Sequence, residues 1–264
     1  MMAFLFLCVT SIKNQPSKYY KNNHFMKNNL YIALAVAALT TTVLSSCDME
    51  CKEGSGNITT DTRKVDDFTK IEVGGSYKIT LKQDSSLNVA ISVDDNLQQY
   101  ILTSVSGGVL KIKTKKNLCL TGQAQLVIGV RNLEAIDGSG AIELQTNGML
   151  NVKNLELDFS GSSKADLQLN AENLRTEGSG ATELKLKGQA SSHSINLSGS
   201  GDVDAFDFVV GNYNIETSGA SNCKINVLNS LNVNTSGGSS IEYKGNPKSV
   251  TNHESGSSEL KKID

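Results

Sequence analysis

The residues best suited to catalysis in this chain are few and scattered. After Cys47 the sequence contains two histidines, His193 and His253, each among polar residues typical of turns, so we expect both on the surface. No Gly-x-Ser-x-Gly or His-Glu-x-x-His motif occurs, and these motifs would mark a serine nucleophile or a zinc site. The glycine-rich segments precede predicted strands, whereas a phosphate-binding loop needs a helix N-terminus. The sequence therefore predicts no catalytic residues and no cofactor.

A group of carboxylates is the best candidate for a metal site. Asp202, Asp204 and Asp207 follow Gly199-Ser200-Gly201, and Ca²⁺ prefers carboxylate oxygens. Strand alternation would point Asp202 and Asp204 outward, together with ordinary exposed polar residues. We therefore expect no metal site here.

A basic segment is the best candidate for contacting an anionic partner. Lys111, Lys113, Lys115 and Lys116 predict one basic strand face. Such a face would contact anionic glycans or lipid head groups, or it would protect an exposed strand edge from pairing with another chain. The sequence favours edge protection.

The front of the chain has the features of an export signal. Residues Leu30–Leu44 form an apolar run of 15, which is short for a membrane span and typical of a signal peptide. Met26-Lys27 supplies the positive charge before it, and Leu44-Ser45-Ser46-Cys47 resembles the bacterial lipobox. The sequence therefore predicts a lipoprotein signal peptide at residues 26–46 and lipidation of Cys47.

Residues 1–25 do not fit this signal. They contain a second apolar stretch with its own Cys8, and two signal cores in tandem would be redundant. We predict that translation starts at Met26 and that residues 1–25 are an upstream mis-start. A genuine, unusually long leader is the alternative.

The residues immediately after Cys47 are polar. Residues 47–56 combine acids with Gly54-Ser55-Gly56 and predict a solvated tether. A short acidic stretch at this place also marks some Gram-negative lipoproteins for the cell surface. The remaining cysteines show no zinc spacing. Cys51 and Cys119 could form a disulfide in an oxidising compartment, and the sequence leaves this open.

Composition excludes several classes of protein. The chain has 264 residues, a net charge of −2 and 20% charged residues, a balance that fits neither a nucleic-acid binder nor a disordered chain. Residues 1–46 carry four lysines and no acid, so the part from Cys47 onward has a net charge of −6. With 5% aromatic residues and 23 glycines, that part has the profile of a β-rich exported protein.

A Gly-Ser motif recurs through the second half of the chain. The intervals between the first glycines of successive motifs are 23, 17, 21, 20, 18 and 19 residues. Recurrence at such a period is typical of repeat architectures. These glycines are Gly138, Gly161, Gly178, Gly199, Gly219, Gly237 and Gly256.

The residues around each glycine alternate with a period of two. Positions four and six residues after it are apolar or small in six of the seven repeats, as expected for strands with one inward face. Two strands of about six residues and two turns of about four fill one repeat. The sequence therefore predicts an all-β fold, a parallel β-helix or β-solenoid with two strands per coil of about 20 residues. A β-sandwich is the alternative.

This register assigns individual side chains to the interior. Cys223 occupies the same column as Val203, which predicts that it fills the core. Leu184 falls in a second inward column, between Leu167 and Ala205.

Residues 57–130 are less regular. Phe68–Leu81 predicts a strand, a turn and a second strand. Asp94–Tyr100 predicts a short turn or helix, and Val105–Lys113 a hairpin or another coil. No linker separates this part from the repeats, so we assign residues 57–264 to one domain.

The opening Phe68-x-x-Ile71-x-Val73-x-Gly75-x-Tyr77-x-Ile79, followed by serial Gly-Ser-Gly turns behind a lipoprotein leader, resembles the GIN-domain family of auto-transporter adhesin head domains. The likeness covers roughly residues 57–264. It implies a two-sheeted β-superhelix, similar to pectin-lyase-like proteins but without a catalytic set. It also implies an adhesive role.

We expect a non-enzymatic, lipid-anchored envelope protein that binds a host or matrix glycan or protein. It would be an outer-membrane lipoprotein at or beneath the cell surface, and the sequence leaves open which leaflet carries the anchor. A β-helix polysaccharide lyase or hydrolase is one alternative, but Arg63, Arg131 and Arg175 are dispersed in the sequence, whereas such enzymes group acids and cations on one face. A ligand-free envelope scaffold is another. The ligand and the oligomeric state stay open.

Overall fold

The computed structural model describes residues 50–263 of the chain. In this range the protein is all-β with one short helix, which confirms the all-β part of the predicted fold. The predicted signal peptide, the lipobox and Cys47 lie outside the described residues. No helix within residues 50–263 is long and apolar enough to cross a membrane.

The strands are joined in sequence by short connections. The helix is a 3₁₀ turn at Asp95–Tyr100, where the sequence predicts a turn or helix. The strands are β1 (Lys52–Glu53), β2 (Ile58–Lys64), β3 (Lys70–Gln83), β4 (Asn88–Asp94), β5 (Ile101–Ser106), β6 (Val109–Thr114), β7 (Leu118–Cys119), β8 (Ala124–Val130), β9 (Ala135–Thr146), β10 (Leu150–Gly237), β11 (Ser240–Lys244), β12 (Ser249–Gly256) and β13 (Glu259–Lys262).

Most strands form one mixed, open sheet. Its order is β13-β11-β10-β9-β3-β8-β4-β2, with β12 paired to β10, and with β6 paired to β3 and β5. The pairs from β3 to β13 along this path are parallel, whereas β2–β4, β4–β8 and β5–β6 are antiparallel. The pair β5–β6 is a hairpin, one of the two arrangements predicted for Val105–Lys113. A separate two-stranded sheet joins β1 to β7.

The 88 residues of β10 fold back on themselves. A straight strand of this length would span roughly 290 Å. The chain instead turns at each glycine of the repeat, so that Gly161 lies against Gly140 and Gly199 against Gly180. These glycines have positive φ angles of 98° to 109°, a conformation that residues with a Cβ rarely adopt. The same turn in β3, at Gly75, pairs in register with Gly140.

Two of the turn glycines differ from those assigned by the sequence. Gly140 and Gly180 pair in the glycine column, not Gly138 and Gly178. The intervals therefore become 21, 19, 19, 20, 18 and 19 residues, which is more regular. Gly138 lies opposite Phe159, and a Cβ on it would come within 3.1 Å of the Phe159 ring. This glycine makes room for a neighbouring side chain.

The interior columns bury the alternate side chains. Cys223 pairs with Ile241 and is fully buried, as predicted. Leu184 is also buried, but the corrected register places it between Ala165 and Val203 rather than between Leu167 and Ala205. Small polar residues share the interior with the apolar ones. These are Ser163, Thr176, Thr182, Thr217, Ser221, Thr235 and Ser239.

The N-terminal end is tied down by a disulfide. Cys51 and Cys119 are bonded, with their Cα atoms 5.5 Å apart, which answers the question that the sequence leaves open. Lys52 and Glu53 pair with β7. The last part of the segment predicted as a tether, residues 51–56, therefore lies against the sheet.

Candidate functional site

A long groove runs across the outer face of the repeats. It lies beside the turn glycines, where the residue directly after each glycine is small and exposed. Its first part has a volume of about 450 Å³ and its second about 470 Å³, and both are lined by Ser200 and Asp202. We call this the outer groove. Its small lining residues are Ala141, Ser162, Ala181, Ser200, Ala220, Gly238 and Ser257.

The outer groove is extended because its lining repeats. Seven successive strands contribute one small residue each, and strands lie about 4.8 Å apart, so the groove is about 29 Å long. Small side chains are required because larger ones would fill the space beside the turn. This shape suits a linear ligand that makes the same contacts at successive strands.

Charged side chains border the first half of the outer groove. Lys78 Nζ lies 2.9 Å from Glu143 Oε1, and Lys164 Nζ lies 2.7 Å from Glu183 Oε1. The hydrogen bond from Lys78 lowers the pKa of the Glu143 carboxyl, and the bond to Glu183 raises the pKa of Lys164. Paired side chains of this kind hold fixed charges and are poor proton donors or acceptors at neutral pH. The charged side chains beside the outer groove are therefore held in ion pairs.

A second groove, about 620 Å³ in volume, is lined by residues that precede the turn glycines. We call it the amide groove. Asn173 Nδ2 donates to Asn154 Oδ1 at 2.8 Å, and Ser192 Oγ donates to Asn173 Oδ1 at 2.7 Å. These bonds between neighbouring strands fix the polar groups that a ligand would meet. Glu156 and Arg175 border the same groove.

A row of acids lies beside the amide groove. Glu72, Asp137 and Asp158 are successive Cα partners on three neighbouring strands, and Glu177 continues the row, three residues before Gly180. Burial raises the pKa of Asp158, and the charges of Asp137 and Glu177 add to this effect. Asp158 is thus a carboxyl that binds a proton more readily than usual.

The first acid of this row is neutralised by the basic segment. Lys111 Nζ and Lys113 Nζ lie 2.7 and 2.8 Å from the two Glu72 oxygens. The bonds from Lys111 and Lys113 lower the pKa of Glu72 to about 2. Their strand β6 pairs on both sides, with β3 and β5. The prediction that these lysines protect a strand edge is therefore wrong for Lys111 and Lys113, because β6 is not an edge.

The predicted surface position of His193 is also wrong. Its side chain is 1% exposed, and it lies six residues before Gly199, in phase with the buried Ile195. Nε2 is 3.0 Å from Thr176 Oγ1, while Nδ1 has no partner in the described structure. Burial lowers the pKa of His193 to about 3, so the ring is neutral at physiological pH. His253 is exposed, as predicted.

The remaining candidates are the three carboxylates that follow Gly199-Ser200-Gly201 and the Cys223 thiol. Asp202, Asp204 and Asp207 are exposed, which confirms the outward orientation predicted for the first two. No group of three or more His, Cys, Asp or Glu side chains within residues 50–263 is arranged to hold a metal ion. Burial raises the pKa of the Cys223 thiol to about 12, which makes it unreactive.

Comparison with known families identifies the domain. Residues 67–247 match the family described as "Putative auto-transporter adhesin, head GIN domain". The chain belongs to the GIN domain family. This confirms the resemblance seen in the opening strand and the Gly-Ser-Gly turns. No curated protein matches the chain.

Several solved structures share its fold. A "putative adhesin" from Bacteroides fragilis NCTC 9343 has a TM-score of 0.76 at 23% identity, covering 80% of this chain and 99% of that one. A "putative adhesin" from Parabacteroides merdae ATCC 43184 has a TM-score of 0.64 at 22% identity, covering 80% and 98%. A "putative lipid binding protein" from Parabacteroides distasonis ATCC 8503 has a TM-score of 0.62 at 23% identity, covering 81% and 100%. At these identities the likeness extends to the fold.

The sequence analysis missed both grooves and the acidic row of this GIN domain. The acids lie three residues before the paired glycines, and the small groove residues one residue after them. Both columns are readable in the sequence once Gly140 and Gly180 replace Gly138 and Gly178 as reference points.

Proposed function

We propose that this chain is a lipid-anchored, non-enzymatic binding module of the cell envelope, adhesin-like in role, that holds a glycan or protein ligand in the outer groove. The observation that carries the proposal is the repetition of the groove lining over seven strands. Membership of a family described by adhesion supports it. The paired charges at Glu143 and Glu183 favour binding over catalysis.

The proposal includes the architecture and the location. Parallel, in-register pairing at intervals of 18 to 21 residues supports a β-solenoid with two strands per coil. The signal-like residues 26–46 and the lipobox support export and lipidation at Cys47, in an outer membrane and exposed at the surface. The Cys51–Cys119 disulfide supports an oxidising compartment outside the cytoplasm.

A binding screen with two matched groove variants tests the ligand site. The chain from Asp48 onward is applied to arrays of host and matrix glycans and proteins. Ala181→Arg fills the outer groove, and Ser194→Arg fills the amide groove. We expect Ala181→Arg to abolish binding and Ser194→Arg to leave it unchanged. The opposite pattern, or no effect of either variant, would overturn the assignment to the outer groove, and no binding at all would favour the scaffold.

Fractionation of cells tests the anchor. Cys47→Ser should release the protein from membranes or leave it as an uncleaved precursor, because a diacylglycerol with a further acyl chain is needed for stable anchoring. Cys51→Ser should leave anchoring unchanged, because Met49-Glu50 cannot serve as a lipobox. Deletion of residues 1–25 should not alter export if Met26 is the start. Membrane association of a normally processed Cys47→Ser variant contradicts the anchor.

The acidic row favours a second candidate function. Asp137, Asp158 and Glu177 lie on neighbouring strands beside Arg175, which is the grouping of acids with a cation that a polysaccharide-cleaving enzyme uses. We expect no cleavage, because these three acids do not line either groove. Release of reducing ends or unsaturated products from pectic or mucin glycans, lost in Asp158→Asn, would establish the enzyme instead.

A further inference from the structure

Residues 51–57, most of which belong to the segment predicted as a tether, form a folded clamp. Cys51 is bonded to Cys119. Lys52 N donates to Asn117 O at 2.8 Å, and Gly54 N donates to Cys119 O at 2.9 Å. We call residues 51–57 with these partners the N-terminal clamp. Its backbone is held by a covalent bond and by a short stretch of parallel sheet.

A buried carboxylate locks the second half of the clamp. Asp94 is fully buried, and its Oδ1 accepts from Gly56 N at 2.8 Å and from Thr121 Oγ1 at 2.6 Å. The bond from Thr121 lowers the pKa of Asp94, so it stays charged. A Cβ on Gly54 would overlap this carboxylate, so glycine is needed there for close approach.

The neighbouring residues add further bonds to the clamp. Ser55 Oγ donates to Asp95 Oδ1 at 2.6 Å, and Asn57 Nδ2 donates to Asp95 Oδ2 at 2.8 Å. Asn96 Nδ2 donates to Glu53 O at 2.9 Å. Nearly every residue from 51 to 57 is therefore fixed to the end of β4, to the 3₁₀ helix that follows it, or to β7 and the residues beside it.

The clamp limits the distance between the domain and its anchor. Three residues lie between Cys47 and Cys51, and the four extended steps of at most about 3.6 Å each span about 14 Å. We propose that the clamp seats the domain directly on the bilayer that holds Cys47, so that the surface around the Cys51–Cys119 disulfide contacts phospholipid head groups. The inference rests on the proposed lipidation of Cys47.

The exposed side chains around the Cys51–Cys119 disulfide suit contact with phospholipid head groups. Lys52, Lys115 and Lys116 are exposed around the disulfide, and Lys116 Nζ lies 5.5 Å from the centre of the Tyr100 ring. Cations and tyrosines are the side chains that interact with phosphate groups at a membrane surface. Glu50 and Glu53 lie on the same segment, so close seating depends on the clamp as well as on charge. Unlike Lys111 and Lys113, these three lysines make no ion pair within the described residues.

Lysine footprinting on membranes tests the inference. The purified lipoprotein is reconstituted in phosphatidylethanolamine–phosphatidylglycerol vesicles and acetylated with a membrane-impermeant reagent, with mass spectrometry as the readout. The non-lipidated chain from Asp48 onward, mixed with the same vesicles, gives the reference rates. We expect several-fold slower acetylation at Lys52, Lys115 and Lys116 in the lipoprotein. Lys248, which precedes β12 at the other end of the stack, should react at the same rate in both.

Two variants separate seating by the clamp from simple anchoring. A Gly-Ser insertion of about 20 residues after Met49 adds roughly 25 Å of flexible chain and should remove the protection, while the protein still floats with the vesicles. Cys51→Ser with Cys119→Ser should reduce the protection. If the lipoprotein floats but its three lysines are acetylated as fast as in the non-lipidated chain, the inference is wrong and the anchor stands. The same conclusion follows if the protection survives the insertion. Failure to float contradicts the anchor and the inference together.

Discussion

The two halves of this domain are stabilised in different ways. Residues 50–134 combine antiparallel and parallel pairs, a helical turn, a disulfide and long-range bonds such as that from Arg63 to the carbonyl oxygen of Ile101, at 2.6 Å. Residues 135–262 repeat one in-register parallel pairing. The first half depends on unique contacts, and the second on the same contact made many times.

The two halves also differ in the side chains that they bury. Both halves bury large side chains, such as Phe68 in the first and Phe159 in the second, but within residues 50–263 the buried serines and threonines all lie in the second half. Equivalent positions on neighbouring strands can pair such hydroxyls, as at Thr217 Oγ1 and Ser239 Oγ, which lie 2.9 Å apart. We therefore expect a different kind of substitution to destabilise each half.

The largest loss of stability is expected when a charge is placed among the buried side chains of the second half. Leu184 is 1% exposed, and Leu184→Asp would lose the burial of a leucine and bury an unpaired carboxylate. The free energy of unfolding should fall by at least about 4 kcal/mol. Glu183→Ala, one residue away, removes only the exposed pair with Lys164 and should cost within about 0.5 kcal/mol. Equal denaturant midpoints for the two variants would refute the register.

The next effect tests the unique contacts of the first half. Cys51→Ser with Cys119→Ser opens a link across 68 residues, and the free energy of unfolding should fall by about 2–4 kcal/mol. Reductant should lower the stability of the wild type to that of the double variant and leave the variant unchanged. If wild type and variant unfold at the same denaturant concentration, the disulfide adds nothing to stability.

A smaller effect depends on pH and on one buried ring in the second half. The pKa of His193 is lowered by burial to about 3, so between that value and the ordinary pKa of histidine the unfolded chain binds the extra proton. Stability is therefore full above pH 6.5 and decreases as the pH falls. From pH 7.5 to pH 5 the loss should be about 2 kcal/mol.

Matched glutamine variants assign this pH dependence. His193→Gln keeps a partner for Thr176 but does not titrate, so the difference between pH 7.5 and pH 5 should disappear. His253→Gln, at an exposed position, should retain it. The carboxyls with lowered pKa values, such as Glu72, lose their contribution only below about pH 4.5. A loss at pH 5 that persists in His193→Gln would contradict the assignment.

The smallest expected difference in stability distinguishes two reasons for a glycine at a turn, namely its backbone conformation and its close contact with the next strand. Gly148 and Gly199 have φ angles of 87° and 109°, so alanine is strained at both, by about 1 kcal/mol. A Cβ at position 199 would lie 2.5 Å from Gly180 O, whereas nothing lies within 4 Å at position 148. Gly199→Ala should therefore cost about 1–2 kcal/mol more than Gly148→Ala in chemical denaturation. Equal costs would mean that strand contact at the turn does not require glycine.

Features that depend on alternation could be predicted from the sequence. The all-β class, the inward position of Cys223, the outward position of Asp202 and the hairpin at Val105–Lys113 all depend on side chains alternating along strands, and the structure confirms them. Alternation could not choose between Gly138 and Gly140. Two glycines two residues apart have the same phase, so a period of two fits both equally well.

The incorrect predictions arose where the polarity of neighbouring residues was given more weight than a residue's place in the inward–outward alternation. Ser191-Ser192-His193-Ser194 reads as a turn, yet His193 is in phase with buried Ile195. The partners of Lys111 and Asp94 are Glu72 and Gly56, both distant in the sequence. Such contacts depend on how the first half closes, and no period in the sequence encodes that. The two grooves were missed because their outlines depend on the corrected register.

The contact between successive glycines also determines how such a protein can change in length. A single inserted residue would shift every later strand by one position and turn its buried face to solvent. An insertion or deletion of one whole repeat, 18 to 21 residues between paired glycines, would preserve every contact on both sides. Natural variation in the size of this domain should therefore occur in steps, each adding or removing about 4.8 Å of groove, so that the chain can match a longer or shorter ligand without redesigning its core.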